Sequence, residues 1–228
     1  MHTYICISMR AFIFDMNGTM VDDMYYHATA WGNIINGELN ANLTGEQLNK
    51  EMYGKNEEVL ERIFGKGRFT AEEINSISQN KEAAYQKAFK PHLKLIAGLH
   101  VFLEKAHEHG IPIAIGTAAI PYNLDFILDN LDIRHYFTTI ISAEDVTISK
   151  PHPETFLLAA AGLNVSPDEC IVFEDAPKGV EAALNAGMKA IAVTTMHEAA
   201  DFAQYENVLF CIKDYTDVRL NILFNTAG

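Results

Sequence analysis

The stretch Phe12-Ile13-Phe14-Asp15-Met16-Asn17-Gly18-Thr19 constrains this chain more than any other. An apolar run ends in a carboxylate, and a glycine turn follows. A buried parallel strand presents a reactive group in this way at its carboxyl end, where open α/β sheets collect their ligands. Three later pieces can complete a site. Thr117 closes a second apolar run, Lys150 precedes Pro151, and Glu174-Asp175 closes a third run.

The rest of the pattern agrees with such a sheet. Residues 10–15 read as the first strand, which Tyr4 to Ile7 could lengthen. From about Asp22 to Pro91 the pattern is helical: Tyr25–Ile35, a segment opened by Thr44, Glu57–Phe64 and Thr70–Phe89. Thr44 with Gln47, and Thr70 with Glu73, have the spacing of capping boxes, which satisfy two orphan amides at a helix start. After Pro91 helices and strands alternate. Helices are expected at Leu99–His107, Pro121–Leu131, Glu154–Ala161 and Pro177–Ala186, with a short one near Asp217–Phe224. Strands are expected at Ile111–Gly116, Thr139–Ser142, Cys170–Phe173, Ala190–Thr194 and Val208–Ile212. That alternation implies a Rossmann-like α/β core with a parallel sheet and right-handed crossovers. Residues 1–22 and 92–228 would form this core. Residues 23–91 would form an inserted helical cap, hinged near Val21–Asp23 and Phe89–Ile96. An insert leaving directly after the first strand can close over a site and exclude water.

Composition narrows the function classes. The 228 residues carry a formal charge of −13 with no Lys/Arg cluster, which argues against nucleic acid and anionic membrane partners. An anionic substrate would then need local positive charge. Cys6, Cys170 and Cys211 are too scattered for a zinc site or a small disulfide framework. No leader-like or membrane-spanning stretch is visible, so a cytoplasmic location is expected, and nothing demands more than a monomer. No GxxxxGK(S/T) loop is present either.

The constellation suits phosphoryl transfer, which rests mainly on positioning and charge neutralisation. A carboxylate can serve as nucleophile and pass through an aspartyl-phosphate, and Asp15 is the candidate. Mg²⁺ takes oxygen ligands and keeps several waters. Asp15 and Asp175 can each offer a carboxylate, residue 17 a backbone carbonyl, and Glu174 a direct or water-mediated contact. Lys150 can neutralise the phosphoryl group and keep Asp15 ionised. The Thr117 hydroxyl and the amides beside it, Ala118 first, can receive a phosphate oxygen.

In this order the motifs resemble those of the haloacid dehalogenase superfamily: a DxDG(T/V) loop, a strand-end Ser/Thr, a lysine and an acidic pair. The likeness runs from about Arg10 to Thr195. The insert resembles the cap of the β-phosphoglucomutase-like subgroup, through Tyr26-His27 with Trp31 and through Lys150-Pro151-His152-Pro153-Glu154. The resemblance implies Asp15 as nucleophile, Mg²⁺ as cofactor, a small phosphorylated metabolite as substrate, and the cap as a specificity lid. It places His27 and Lys81 at the substrate.

Two departures bear on activity. The family carries a general acid/base Asp two residues after the nucleophile, and this chain has Asn17. An amide cannot carry that proton, and general acid–base catalysis supplies about 10²–10⁴ in rate. The chain could borrow a donor from Asp22, Asp23 or His27. It could instead be a weakly active or binding relative, or carry a substitution that traps an intermediate. The mutase of the subgroup also holds a distal phosphate with a cap arginine. Here that region reads Gly54-Lys55-Asn56-Glu57-Glu58, so Lys55 could substitute only as a point charge. The missing arginine, together with Ala118, Ala119 and Ile120 where the mutase is richer in serine and polar groups, ranks a phosphatase above a mutase.

Overall fold

The computed structural model describes residues 10–224. Cys6 and the possible extension of the first strand through Tyr4–Ile7 lie outside the described residues.

Six strands form one parallel sheet: β1 (Ala11–Phe14), β2 (Ile113–Gly116), β3 (Thr139–Ile141), β4 (Cys170–Glu174), β5 (Lys189–Val193) and β6 (Val208–Ile212). Their spatial order is β3-β2-β1-β4-β5-β6. β1 is therefore central, with β2 on one side and β4 on the other. The chain direction across the sheet reverses at β1, and that reversal opens a crevice at the carboxyl ends of the strands.

Both faces of the sheet are covered, which explains the unbroken apolar run of β1. Phe12 and Phe14 point into one cluster with Phe102, Phe173 and Tyr215. Ala11 and Ile13 point into the other, with Phe156, Val172 and Val180. The Phe14 and Phe173 rings stack at 4.6 Å across the β1–β4 pair. Helices α5 (Leu99–Glu108), α6 (Pro121–Asn130), α7 (Glu154–Leu163) and α8 (Pro177–Asn185) flank the sheet; the four helices that precede them lie between β1 and β2.

Those four are α1 (Met24–Gly32), α2 (Gly45–Glu51), α3 (Asn56–Phe64) and α4 (Ala71–Phe89). They have an apolar cluster of their own, built on Trp31, Ile35, Leu48, Val59 and Leu60. Both expected capping boxes form, Thr44 with Gln47 and Thr70 with Glu73. The first helix departs from expectation. It stops being α-helical at Gly32 and widens into a π-helical turn, Asn33–Glu38. The Asn36 side chain pins this turn by bonding both the amide and the carbonyl of Leu43 at 2.8 Å. β2 starts two residues later than expected because the Ile111 amide still bonds Ala106 of α5 and Pro112 has no amide to give. Among the described residues no helix is long and apolar enough to cross a membrane.

Phe102 contacts the rings of Phe12, Phe14, Phe173, Tyr215 and Phe224. We expect Phe102→Ala to destabilise the protein by about 3–5 kcal/mol. Urea denaturation would measure this, and a loss below about 1 kcal/mol would mean the aromatic cluster can collapse around the gap.

Candidate active site

The β1–β4 pairing runs on past the strand: the Asp15 amide donates to the Phe173 carbonyl at 3.0 Å. This fixes Asp15 beside the end of β4, where Glu174 and Asp175 follow. Lys150 joins them from the loop before α7. Its Nζ donates to Asp15 Oδ1 at 2.7 Å and to Glu174 Oε1 at 2.9 Å. Glu174 Oε2 in turn accepts from the Ala176 amide at 2.7 Å, next to the N-terminus of α8. Glu174 thereby holds Lys150 against Asp15. Gly179 makes this possible, since a Cβ there would lie 1.7 Å from Glu174 Oε1.

Burial pushes Asp15 up to about 7, against the pull of Lys150 and with the help of Glu174 and Asp23. Burial also lifts Asp175 well above its usual range, and the charges of Glu174 and Asp15 add to this. Burial works against the charge of Lys150, yet Asp15 and Glu174 together keep it above its ordinary range. Three carboxylates thus share one cation, and the cluster would gain from a further positive charge.

The donor set fits Mg²⁺. Asp15, Asn17 and Asp175 all line the cavity, and two carboxylates with one backbone carbonyl are hard oxygen donors. Among the described residues no three acidic, His or Cys side chains close into a cage. Mg²⁺ does not need one, because it retains water and takes one or two carboxylates with substrate phosphate. Asp175 Oδ1 accepts from Thr19 Oγ1 at 3.0 Å, which aims the carboxylate at the loop after β1. Gly18, at φ +78°, permits that approach, since a Cβ there would lie 2.2 Å from Asp175 Oδ2. Both oxygens of Glu174 have protein partners, which favours the water-mediated of its two possible metal contacts.

These residues line a cavity of about 170 Å³ that also includes Asn17, His27, Lys81, Thr117 and Ala118. Thr117 is 1% exposed and accepts from the Ala119 amide at 3.2 Å. Asn17 Nδ2 donates to Asp23 Oδ2 at 2.6 Å and lies 3.1 Å from His27 Nε2. Asp23 also accepts from Tyr85 Oη at 2.5 Å and from the Gly18 amide at 3.2 Å. The His27 ring stacks on Tyr85, with ring centroids 3.7 Å apart. Its Nδ1 lies 2.7 Å from Lys81 Nζ. Burial holds the His27 imidazole below its usual range, and Lys81 adds to the effect.

One expected site residue is placed elsewhere. Lys55 does not line the cavity; its Nζ donates to the Val146 carbonyl at 2.6 Å, tying the start of α3 to the core. Asn56, the next residue, faces the cavity instead. Of the possible stand-in donors, Asp22 is exposed and Asp23 is buried behind Asn17, so only His27 lines the cavity. Asn56, Glu82 and Asn123 are lining residues that sequence reasoning missed. Glu82 and Asn56 each directly follow a residue that had been singled out, which was the one available signal.

The haloacid dehalogenase-like hydrolase family matches residues 12–193, a span that holds every element of this site. The chain belongs to the haloacid dehalogenase-like hydrolases. Its relatives include a β-phosphoglucomutase of Bacillus subtilis, 33% identical over 81% of this chain and 83% of that one. A fructose-1-phosphate phosphatase of Escherichia coli is 30% identical over 79% of this chain and 94% of its own length. Among solved structures, a family IA, variant 3 hydrolase of Entamoeba histolytica superposes with a TM-score of 0.84 at 25% identity. It covers 96% of this chain and 99% of its own. The likeness to β-phosphoglucomutase-like members agrees with the resemblance noted in the sequence.

The raised Asp15 and Asp175 give a pH prediction. A carboxyl whose folded pKa is raised favours folding below its unfolded pKa, and loses that contribution as pH rises through the folded value. For Asp15 the window runs from 3.8 to about 7. A bound divalent cation must displace those protons. We therefore expect Mg²⁺ to raise the melting temperature more at pH 8 than at pH 5.5, measured by differential scanning calorimetry. An equal shift at both pH values would contradict this arrangement.

Proposed function

We propose that this chain is a Mg²⁺-dependent phosphatase of small phosphorylated metabolites, sugar phosphates being the leading class. The observation that carries the reading is the Asp15 carboxylate held at 2.7 Å by Lys150 at the inner end of the cavity. Residues 23–91 act as the cap, over a core drawn from the described residues on either side, 10–22 and 92–224.

Asp15 attacks phosphorus, so an Oδ–P bond forms as the bond from phosphorus to the leaving oxygen breaks. Lys150, the Thr117 hydroxyl and the amides near Ala118 receive the equatorial oxygens. Mg²⁺, when bound, supplies further charge neutralisation at those oxygens. Water then adds to phosphorus, the Oδ–P bond breaks, and the Asp15 carboxylate returns. Asn17 leaves both proton transfers without the usual carboxyl. Its amide instead ties the nucleophile loop to Asp23 at the start of α1. Of Asp22, Asp23 and His27, His27 is the one that lines the cavity, with its ring nitrogens against Asn17 and Lys81.

A β-phosphoglucomutase-like reaction is the second reading, supported by the Bacillus subtilis relative. The position of Lys55 weighs against it, because that lysine is engaged on Val146 and does not reach a distal phosphate. Retention of phosphate on product, with dependence on a bisphosphate activator, would identify the mutase. A binding relative would show ligand-dependent stabilisation without turnover.

The test is phosphate release with Mg²⁺ from β-glucose 1-phosphate, fructose 1-phosphate and acetyl phosphate. We expect slow turnover that Asp15→Ala abolishes. Asn17→Asp should raise the sugar phosphate rates by about 10²–10⁴ and the acetyl phosphate rate by less, since its leaving group needs little protonation. Turnover that survives Asp15→Ala would sink the reading.

A further inference from the structure

The cavity wall that α4 supplies has an unusual charge arrangement. α4 carries Lys81 and Glu82 inward, each 3% exposed. Glu82 Oε1 accepts from Asn56 Nδ2 at 2.8 Å and from Lys81 Nζ at 3.0 Å. Glu82 Oε2 accepts from Asn123 Nδ2 at 2.7 Å and from Lys81 Nζ at 3.1 Å. A carboxylate has about four lone-pair sites, so Glu82 is saturated and has none left for a substrate hydroxyl. Lys81 is occupied too, between Glu82 and His27 Nδ1.

Glu82 therefore acts on the cavity through its charge and through what it orients. It cancels the charge of Lys81 at contact distance. It also fixes one side-chain amide from α3 and one from α6, and Asn123 Oδ1 is held in turn by Gln86 Nε2 at 3.0 Å. Burial pushes Lys81 below its ordinary range. Burial works against the charge of Glu82, yet Lys81, His27 and the two asparagines keep it below the usual carboxylate range. Trp31, Met24, Met52 and Val59 also line the cavity and bring no charge. Lys178, from the first turn of α8, also lines the cavity, with its Nζ 4.6 Å from the centroid of the Tyr53 ring and no carboxylate paired with it among the described residues.

A second phosphate against the α4 wall would bring two negative charges to a lysine already cancelled by Glu82, inside low dielectric where such a mismatch is large. A neutral polyol would meet amides and apolar surface. We propose that Glu82 determines specificity: its pairing with Lys81 makes the α4 wall of the cavity electroneutral, so this wall favours monophosphate esters of uncharged hydroxylated groups over those carrying a second phosphate. This rests on the reading of Asp15 as the phosphoryl acceptor. Specificity here comes as much from the unfavourable placement of the wrong ligand as from contacts to the right one.

Binding measurements separate the two readings. The Asp15→Asn protein, which does not turn over, is titrated calorimetrically in Mg²⁺ with two pairs of ligands. One pair is fructose 1-phosphate and fructose 1,6-bisphosphate; the other is glucose 6-phosphate and glucose 1,6-bisphosphate. We expect at least one monophosphate to bind about tenfold or more tighter than its bisphosphate. Adding Glu82→Gln should erase that preference, and adding Lys81→Met should enlarge it. A merely structural role for Glu82 would weaken both members of a pair alike and leave their ratio unchanged. Bisphosphates bound as tightly as monophosphates, or a ratio that neither variant moves, overturn the role of Glu82 and leave the phosphatase reading standing. No binding of any of the four ligands overturns both.

Discussion

The ion pair between Lys150 and Asp15 organises the rest of the site. Its lysine comes from the loop before α7 and its carboxylate from the end of β1, 135 positions apart in the chain. Glu174 binds the same ammonium from the end of β4. Three segments are thus fixed by one buried cation. Each of these groups would be costly to bury alone; together they are paired, with charge left over on the negative side. The surplus is on the rim that a divalent cation and a phosphate would complete. Two glycines, Gly18 and Gly179, keep the space into which the two acidic side chains fit.

A second polar network lies where α1 and α4 face the loop after β1. It runs from Asn17 through Asp23 and His27 to Lys81 and Glu82, with Tyr85 alongside. Asn17 fits this network well. It donates to Asp23 at a position where an ionised aspartate would face another carboxylate. With an amide at position 17 that like-charge contact with Asp23 does not arise. Glu82 extends the network to α6 through Asn123, so α4 is tied both to Asp23, beside the loop after β1, and to α6.

Much of this was legible in the sequence, for reasons that are local. Residues 11–15 announce a central strand because every side chain before the carboxylate is apolar. Thr44 and Thr70 announce helix starts because a capping box closes within four residues. Thr117, Glu174 and Asp175 follow because strand ends collect ligands in open α/β sheets, and Lys150 is marked by the Pro151 after it. What remained hidden depends on distance in the chain. Asn56 and Asn123 meet Glu82 across 26 and 41 positions, and no local pattern encodes either contact. Lys55 was misplaced by a single residue. It sits at the N-terminus of α3 and reaches outward to Val146, while Asn56 beside it turns inward. The π-helical turn after α1 depends on Asn36 meeting Leu43, which the apolar period of the helix does not reveal.

The central claim is that Asp15 takes the phosphoryl group. Rapid acid quench of the protein turning over β-glucose 1-phosphate or acetyl phosphate in Mg²⁺, followed by peptide mass mapping, tests it most directly. The account predicts phosphate on the peptide containing Asp15. It also predicts that the phosphorylated fraction falls in Asn17→Asp, because a carboxylate at position 17 would speed hydrolysis of the intermediate. Turnover with no phosphate on that peptide, or with phosphate on another residue, would contradict it.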